Sequence, residues 1–423
     1  MISKIKKLKN RLQKSKDGSA LASNFGYLML LQIAGYVFPL ITIPYLARVI
    51  GVEGFGKIAF AAAVVVWFQT ITDWGFNYTA TRDVAQNRDN PNRVSEIFSN
   101  VLWSKILLMF CSFFLLMGLI ITIPYLRENQ AILLITFLMV PGNIFFPDWF
   151  FQAMERMKYI TIFNLISKIL FTLLVFIFIK EKSDFILQPL FISLGSVVSG
   201  IFAMYIIIVK WKVKLIRPNR SSVFNTIKNS TDVFINNIVP NFYYGFSTIL
   251  LSFWGGNASV GLLDAGRRFL SISEKFLQIV SRVFFPFLSR RSDKHNTYVK
   301  INFSIAALFF LVLFLAAPIL IKLFYTPEFY PAVIALQISS FSILFLSLRN
   351  IYGINYLIVR GYEKEARNIM LVTSFIGFTL SFPLIYFFDF IGAAITAILV
   401  HGIQGLSMMY KAKKIEKQSI VLT

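Results

Sequence analysis

Six ionisable side chains lie inside one membrane-length stretch, 261–287: Asp264, Arg267, Arg268, Glu274, Lys275 and Arg282. At helical spacing they share an arc of roughly 140° with Ser271, Gln278 and Ser281. The opposite side carries Ala265, Phe269, Ile272, Phe276, Leu277, Ile279, Val280 and Val283. A lipid-facing helix holds no such stripe cheaply, because each central charge costs about 2.5–3.5 kcal/mol even on the lenient insertion scale. If this helix spans, its polar face looks into a hydrated cavity lined by protein. Four basic residues against two acidic ones make the stripe net positive. A net-basic cavity inside a membrane protein suggests passage of an anion.

Other charges fall inside apolar runs. Arg48 ends the first run, and Asp73 lies mid-depth in the second beside Gln69, Thr70 and Asn77. Lys105 and Lys168 occupy the third and fifth, and Arg349 lies in the ninth. Arg48, Arg267, Arg268, Lys275 and Arg349 are the candidate substrate-binding residues. Asp73, Asp264 and Glu274 are the candidate ion-coupling residues, with Asp73 the first choice. A fixed pair such as Asp264 with Arg268, at i and i+4, is the structural alternative. Arg82, Asp83, Asp148, Glu155 and Asp232 lie near the inner boundary, where snorkelling or helix-end capping accounts for them. His401 reads as a satisfied packing histidine, with a proton relay as the alternative.

The elements that position these residues follow from composition. The 423-residue chain is 57% hydrophobic, with 46 phenylalanines and mean hydropathy +0.68. That describes a polytopic membrane protein. Apolar runs fall at 21–47, 58–82, 97–121, 131–151, 159–179, 186–209, 231–254, 301–321, 331–359, 368–388 and 391–410. The charged stretch makes about 12. With the N-terminus cytoplasmic, inner segments hold 28 Lys and Arg and outer segments 5. Removing 261–287 from the spans flips every later loop and spoils this asymmetry, so the charged helix crosses and both termini face the cytoplasm. The same rule explains a net charge of +22 without nucleic acid. The single cysteine, Cys111, excludes an internal disulfide and cysteine-cluster metal sites.

The chain also repeats itself weakly. Phe151–Arg156 and Val359–Lys364 share a pattern at an offset of 208, and Gly56 matches Gly261 at 205. Half the chain has about this length, so two similar bundles are expected. The boundaries are a basic cytoplasmic N-terminus 1–20, a first six-helix bundle 21–209, a basic linker 210–230, a second six-helix bundle 231–410 and a basic tail 411–423. The linker reads as a surface helix on the inner leaflet or as a plain connection. Gly51-Val-Glu-Gly-Phe-Gly56-Lys57 fits seven positions of a P-loop, but Ile58 stands where magnesium needs a hydroxyl. No catalytic or metal-binding arrangement is visible, and neither enzyme activity nor a cofactor is expected.

Three segments carry a resemblance. They are Ile43-Pro-Tyr-Leu-Ala-Arg48-Val-Ile-Gly51-Val-Glu-Gly-Phe-Gly56, Asp73-Trp-Gly-Phe-Asn77-Tyr-Thr-Ala-Thr-Arg82-Asp83 and Asp148-Trp-Phe-Phe-Gln152-Ala-Met-Glu155-Arg-Met-Lys158. They resemble the Wzx-type polysaccharide flippases of the multidrug/oligosaccharidyl-lipid/polysaccharide (MOP) exporter superfamily. The resemblance covers the whole chain and is strongest in the first half. It implies an all-α polytopic membrane protein, with about 12 transmembrane helices in two six-helix bundles around a central cavity, in a bacterial inner membrane. It implies a flippase for an undecaprenyl-pyrophosphate-linked oligosaccharide, the repeat unit of O-antigen or capsule, moved to the periplasmic leaflet by alternating access. The expected partners are that substrate, membrane lipid, a coupling proton or sodium, and the polysaccharide polymerase machinery. Two alternatives remain open: a drug or cation antiporter of the same superfamily, disfavoured by the net-basic stripe, and a flippase for another lipid-linked cell-wall precursor.

Overall fold

The computed structural model describes residues 16–421, and among them there are helices and connections but no strand. Most of the basic N-terminus 1–20 and the last two residues of the tail lie outside the described residues. In chain order the helices are α1 (Lys16–Asp73), α2 (Phe76–Gln86), α3 (Pro91–Thr122), α4 (Gln130–Ala153, interrupted), α5 (Met157–Phe178) and α6 (Leu187–Tyr205). They continue as α7 (Arg220–Ile238), α8 (Gly245–Trp254), α9 (Gly256–Arg290), α10 (His295–Phe324), α11 (Ala332–Arg360) and α12 (Glu363–Val421).

Eight segments are long and apolar enough to cross a membrane. Two of them, Met29–Gln86 and Glu363–Gln418, run to 58 and 56 residues. At 1.5 Å per residue each is more than twice the roughly 30 Å hydrocarbon core. Each also turns back at a non-helical residue, Gly51 (φ 67°) in α1 and Asp389 (φ 51°) in α12. Each therefore supplies two crossings. The remaining two crossings are α7 with α8, where a break splits a polar helix from a short apolar one, and α9, whose charged face lowers its hydropathy. Together these give about twelve, as the charge pattern predicts.

The helices form two compact units. The first comprises residues up to Thr42, Phe68–Lys180 and Ile186–Asn237. The second comprises Ile43–Trp67, Glu181–Phe185 and everything from Ile238. In the first unit α1 stops at Asp73. Trp74 takes φ 40° and Gly75 φ 80° before α2 resumes. The break is held by Trp74 stacking on Phe234 of α7, with centroids 3.9 Å apart, and by the Trp74 indole N–H donating to Thr231 Oγ1.

Of the linker 210–230, segment 211–219 is non-helical and lies along α3, and helix begins at Arg220. The backbone N–H groups of Lys214 and Ile216 donate to Ser95 Oγ and Ser99 Oγ at 3.1 and 2.9 Å. The Trp103 indole donates to the Ile216 carbonyl at 3.0 Å. Serines one turn apart on α3 thus satisfy the backbone of a strap that Pro218 keeps from coiling.

The second unit is built on close backbone approach. A Cβ on Gly56 would collide with the Asn257 carbonyl, and one on Gly261 with the Val52 carbonyl. Each glycine lies against the carbonyl four residues before the other, so the two positions matched in the repeat pack reciprocally. Around them α8, α9 and α12 share a core of Leu250, Leu251, Val260, Leu263, Ile385, Ala393 and Ala394. The inner part of α11 widens into a π-helix over Arg349–Leu357. A buried network supports it: the Asn355 amide donates to Ser281 Oγ (2.6 Å), Tyr298 OH (2.9 Å) and the Asn350 carbonyl (3.1 Å).

Candidate functional site

Helix α9 runs unbroken for 35 residues, so its charged stripe forms a real face. Four residues of that face, Asp264, Arg267, Arg268 and Glu274, line a cavity of about 190 Å³ with Tyr244, Leu270 and Ser271. The space is smaller than the roughly 300–1,000 Å³ of pockets for drug-sized ligands. It suits a phosphate-sized group, not an oligosaccharide.

The two arginines differ. Arg268 donates from Nε and Nη2 to Asp264 Oδ2, both at 2.7 Å, one turn away on the same helix. Their side chains keep 35% and 28% of their exposure. Arg267 donates to Thr248 Oγ1 at 3.1 Å and reaches toward the Ala393 carbonyl at 3.5 Å. Its guanidinium lies 5.2 Å from the Tyr244 ring centroid, a cation–π distance. Among the described residues it makes no ion pair, so its charge stays available to a ligand. Glu274 is held loosely, 3.6 Å from Arg349 where the π-helix begins, with Gln278 donating to it at 3.4 Å.

The structure thus brings Asp264, Arg267, Arg268 and Glu274 together, with Arg349 one contact behind. Arg48 and Lys275 are exposed and do not line this cavity. Asp73 belongs to the first unit, at the C-terminal end of α1 just before the break at Trp74 and Gly75. Its Oδ1 accepts from Lys105 Nζ at 2.7 Å, and Lys105 is 3% exposed against 36% for Asp73. Lys105 as its partner, and Tyr244 and Thr248 as the neighbours of Arg267, were not legible in the sequence. An intramembrane lysine is a visible signal, but nothing local says which carboxylate it meets. An aromatic in an apolar run looks like core.

Residues near the inner boundary act locally. Asp148 Oδ1 accepts the Trp149 backbone N–H at 2.7 Å within the first turn of a short helix. Glu155 accepts from Arg88 at 2.8 Å. That hydrogen bond holds the Glu155 carboxyl below its ordinary pKa and raises Arg88.

His401 departs from the packing expectation. It is 1% exposed, and neither ring nitrogen has a hydrogen-bond partner. Its ring lies 5.8 Å from Tyr243 and 5.7 Å from Tyr244. Gln404 Oε1, one turn on, is buried and unpartnered too. Gly402 and Gly405 bring this stretch of α12 against Phe345 and Leu348 of α11, which leaves His401 no room to reach water.

Comparison with known proteins adds the family. Residues 21–292 match the family described as polysaccharide biosynthesis protein. The chain is 30% identical over 387 residues to the putative O-antigen transporter of Escherichia coli (strain K12), covering 90% of this chain and 93% of that one. It is 25% identical over 400 residues to the putative O-antigen transporter of Shigella dysenteriae, covering 93% and 100%. Among solved structures it resembles the lipid II flippase MurJ in an inward closed conformation, with TM-score 0.72, 15% identity and coverage of 91% and 87%. It also resembles an inward-facing MATE family transporter of the MOP superfamily, with TM-score 0.66, 13% identity and coverage of 89% and 96%. At such identities these two likenesses speak for the fold.

Proposed function

Because this chain belongs to the polysaccharide biosynthesis protein family, we propose that it is a flippase for a lipid-linked saccharide, undecaprenyl-pyrophosphate-linked oligosaccharide of the O-antigen or capsule type. The head group crosses from the cytoplasmic to the periplasmic leaflet of the bacterial inner membrane by alternating access of two six-helix bundles, 21–209 and 231–410. Both termini stay cytoplasmic, and the product passes to the polymerase machinery.

One observation carries the reading: a cavity on a membrane-length helix that holds an arginine without a carboxylate partner. Arg267 meets the pyrophosphate first. Arg268 and Arg349 join when the anion competes with Asp264 and Glu274 for them. Planar guanidiniums hold phosphoryl oxygens bidentately, and their strength grows as water leaves. The cavity takes only the charged group, so the sugars and the lipid lie outside it. An inside-negative potential favours outward movement of a doubly charged group by about 4.6 kcal/mol per 100 mV, twice the single-charge value, if protein charges stay fixed. Proton or sodium coupling falls to Asp73, Asp264 or Glu274. Each has a basic partner that uptake must release, and Glu274 is held least tightly.

The test is loss of function at Arg267. Arg267→Ala in a host deleted for its own flippase is expected to insert in the membrane normally and to abolish surface polysaccharide. Normal surface polysaccharide in that strain removes Arg267 from the substrate site.

A further inference from the structure

The three candidate coupling carboxylates are each paired: Asp73 with Lys105, Asp264 with Arg268 and Glu274 with Arg349. His401 is not. A neutral imidazole carries one N–H donor and one lone pair, and burying either unmet costs about 1–3 kcal/mol. A buried ring with both nitrogens unmet is worth explaining, and its surroundings supply the explanation. Tyr244 lines the cavity and His401 does not, and the Tyr244 ring lies 5.2 Å from the Arg267 guanidinium and 5.7 Å from the His401 ring. The rings against His401 are Tyr243 and Tyr244 from the break before α8, and the charged groups close enough to act on it through space are Arg267 from α9 and Arg349 from α11. Glu274 lines the same cavity as Tyr244. On α12 itself the nearest polar group with an unmet atom is Gln404.

We propose that His401 is a proton-binding site linked to anion occupancy of the Arg267 cavity, so that pyrophosphate and proton bind together and leave together. The inference rests on the cavity holding a pyrophosphate, as proposed above. Two guanidiniums in electrostatic reach repel a third positive charge in the same low-dielectric space. An anion held by Arg267 and Arg349 cancels that repulsion and releases Glu274 toward the tyrosines. When the transport cycle opens the cavity past Tyr244, the ring lone pair takes a proton from the solvent admitted there, forming an N–H bond and an imidazolium. When the anion leaves, the proton returns to water. Linkage makes the effect reciprocal: acid strengthens anion binding by the factor by which the anion strengthens proton binding. The device needs no ion pair to break at the proton site itself.

The chain has only two histidines, His295 and His401, which makes the test direct. Full-length protein labelled with ¹⁵N-histidine in lipid nanodiscs is titrated with inorganic pyrophosphate between about pH 5 and pH 8, the window of imidazole chemistry. Calorimetry on the same sample reports whether pyrophosphate binds. The His401 resonance is assigned by its loss in His401→Gln or, if that variant does not fold, by its survival in His295→Gln. The expected result is the neutral-ring nitrogen pattern without pyrophosphate and the imidazolium pattern at saturation, with the change absent in Arg267→Ala. An unchanged ring with pyrophosphate bound overturns the linkage and leaves the anion site standing. Failure of pyrophosphate to bind overturns the anion site and the linkage with it.

Discussion

Asp73–Lys105 in the first unit and Asp264–Arg268 in the second have the same 2.7 Å separation, and they are built for different work. The first joins two helices at a break, and its base is almost wholly buried. The second joins neighbours on one helix, and both partners keep about a third of their exposure. A charge without water needs its counter-ion to exist in the fold, whereas a charge at a hydrated cavity can change partners. The first pair locks a bend; the second borders a place where an anion can enter.

Removing the acid separates the two most sharply. Asp73→Ala leaves Lys105 buried and uncompensated and should cost about 3–5 kcal/mol, read as lost folded yield and a lower melting temperature in detergent. Asp264→Ala should cost about 1 kcal/mol or less, because Arg268 remains hydrated. Asp73→Leu combined with Lys105→Met should recover most of the loss. Equal destabilisation by the two single changes would end the comparison.

The basic side sharpens it. Arg267→Ala is expected to abolish transport in proteoliposomes, and Arg268→Ala to reduce it less, because Arg268 already shares its charge with Asp264. Arg267→Lys should restore only part of the activity, since a point charge lacks the guanidinium fork. Full activity in Arg267→Lys would mean that charge alone suffices.

A smaller effect asks whether the second unit depends on packing as the first depends on charge. Gly56→Ala places a methyl on the Asn257 carbonyl and should cost about 1–3 kcal/mol, as overpacking does. A melting temperature equal to that of the parent would show that the reciprocal glycine contact contributes nothing.

The smallest effect lies outside the membrane. Arg88 holds Glu155 ionised, so this pair adds stability above the usual glutamate pKa of about 4.3 and loses it as pH falls below that. The two side chains keep 34% and 53% of their exposure, so solvent screening makes the gain slight. The melting temperature of Arg88→Ala should fall just below the parent near neutral pH and converge with it in acid. A gap that widens in acid would contradict the assignment.

Much of the architecture was legible. The spans follow from hydropathy, and the charged face of α9 follows from helical spacing alone. So does the Asp264–Arg268 pair, because i and i+4 meet in any straight helix. The breaks were not. Asp73 reads as mid-span and sits at the end of a helical segment, since positive φ at Trp74 and Gly75 is secured by Phe234, far along the chain. His401 reads as satisfied and is not, because only the packing of α12 on α11 closes off its water.

The sequence by itself therefore determined what is local: which segments are apolar enough to cross, which helix carries a charged face and which neighbours on it pair. Only the tertiary structure decided that Lys105 meets Asp73, that Arg349 meets Glu274, that Gly56 lies on Asn257 and that Tyr244 lies near both Arg267 and His401. The reason is physical. Periodicity along one helix is fixed by backbone geometry, whereas contacts between helices depend on crossing angles and breaks set by many side chains at once.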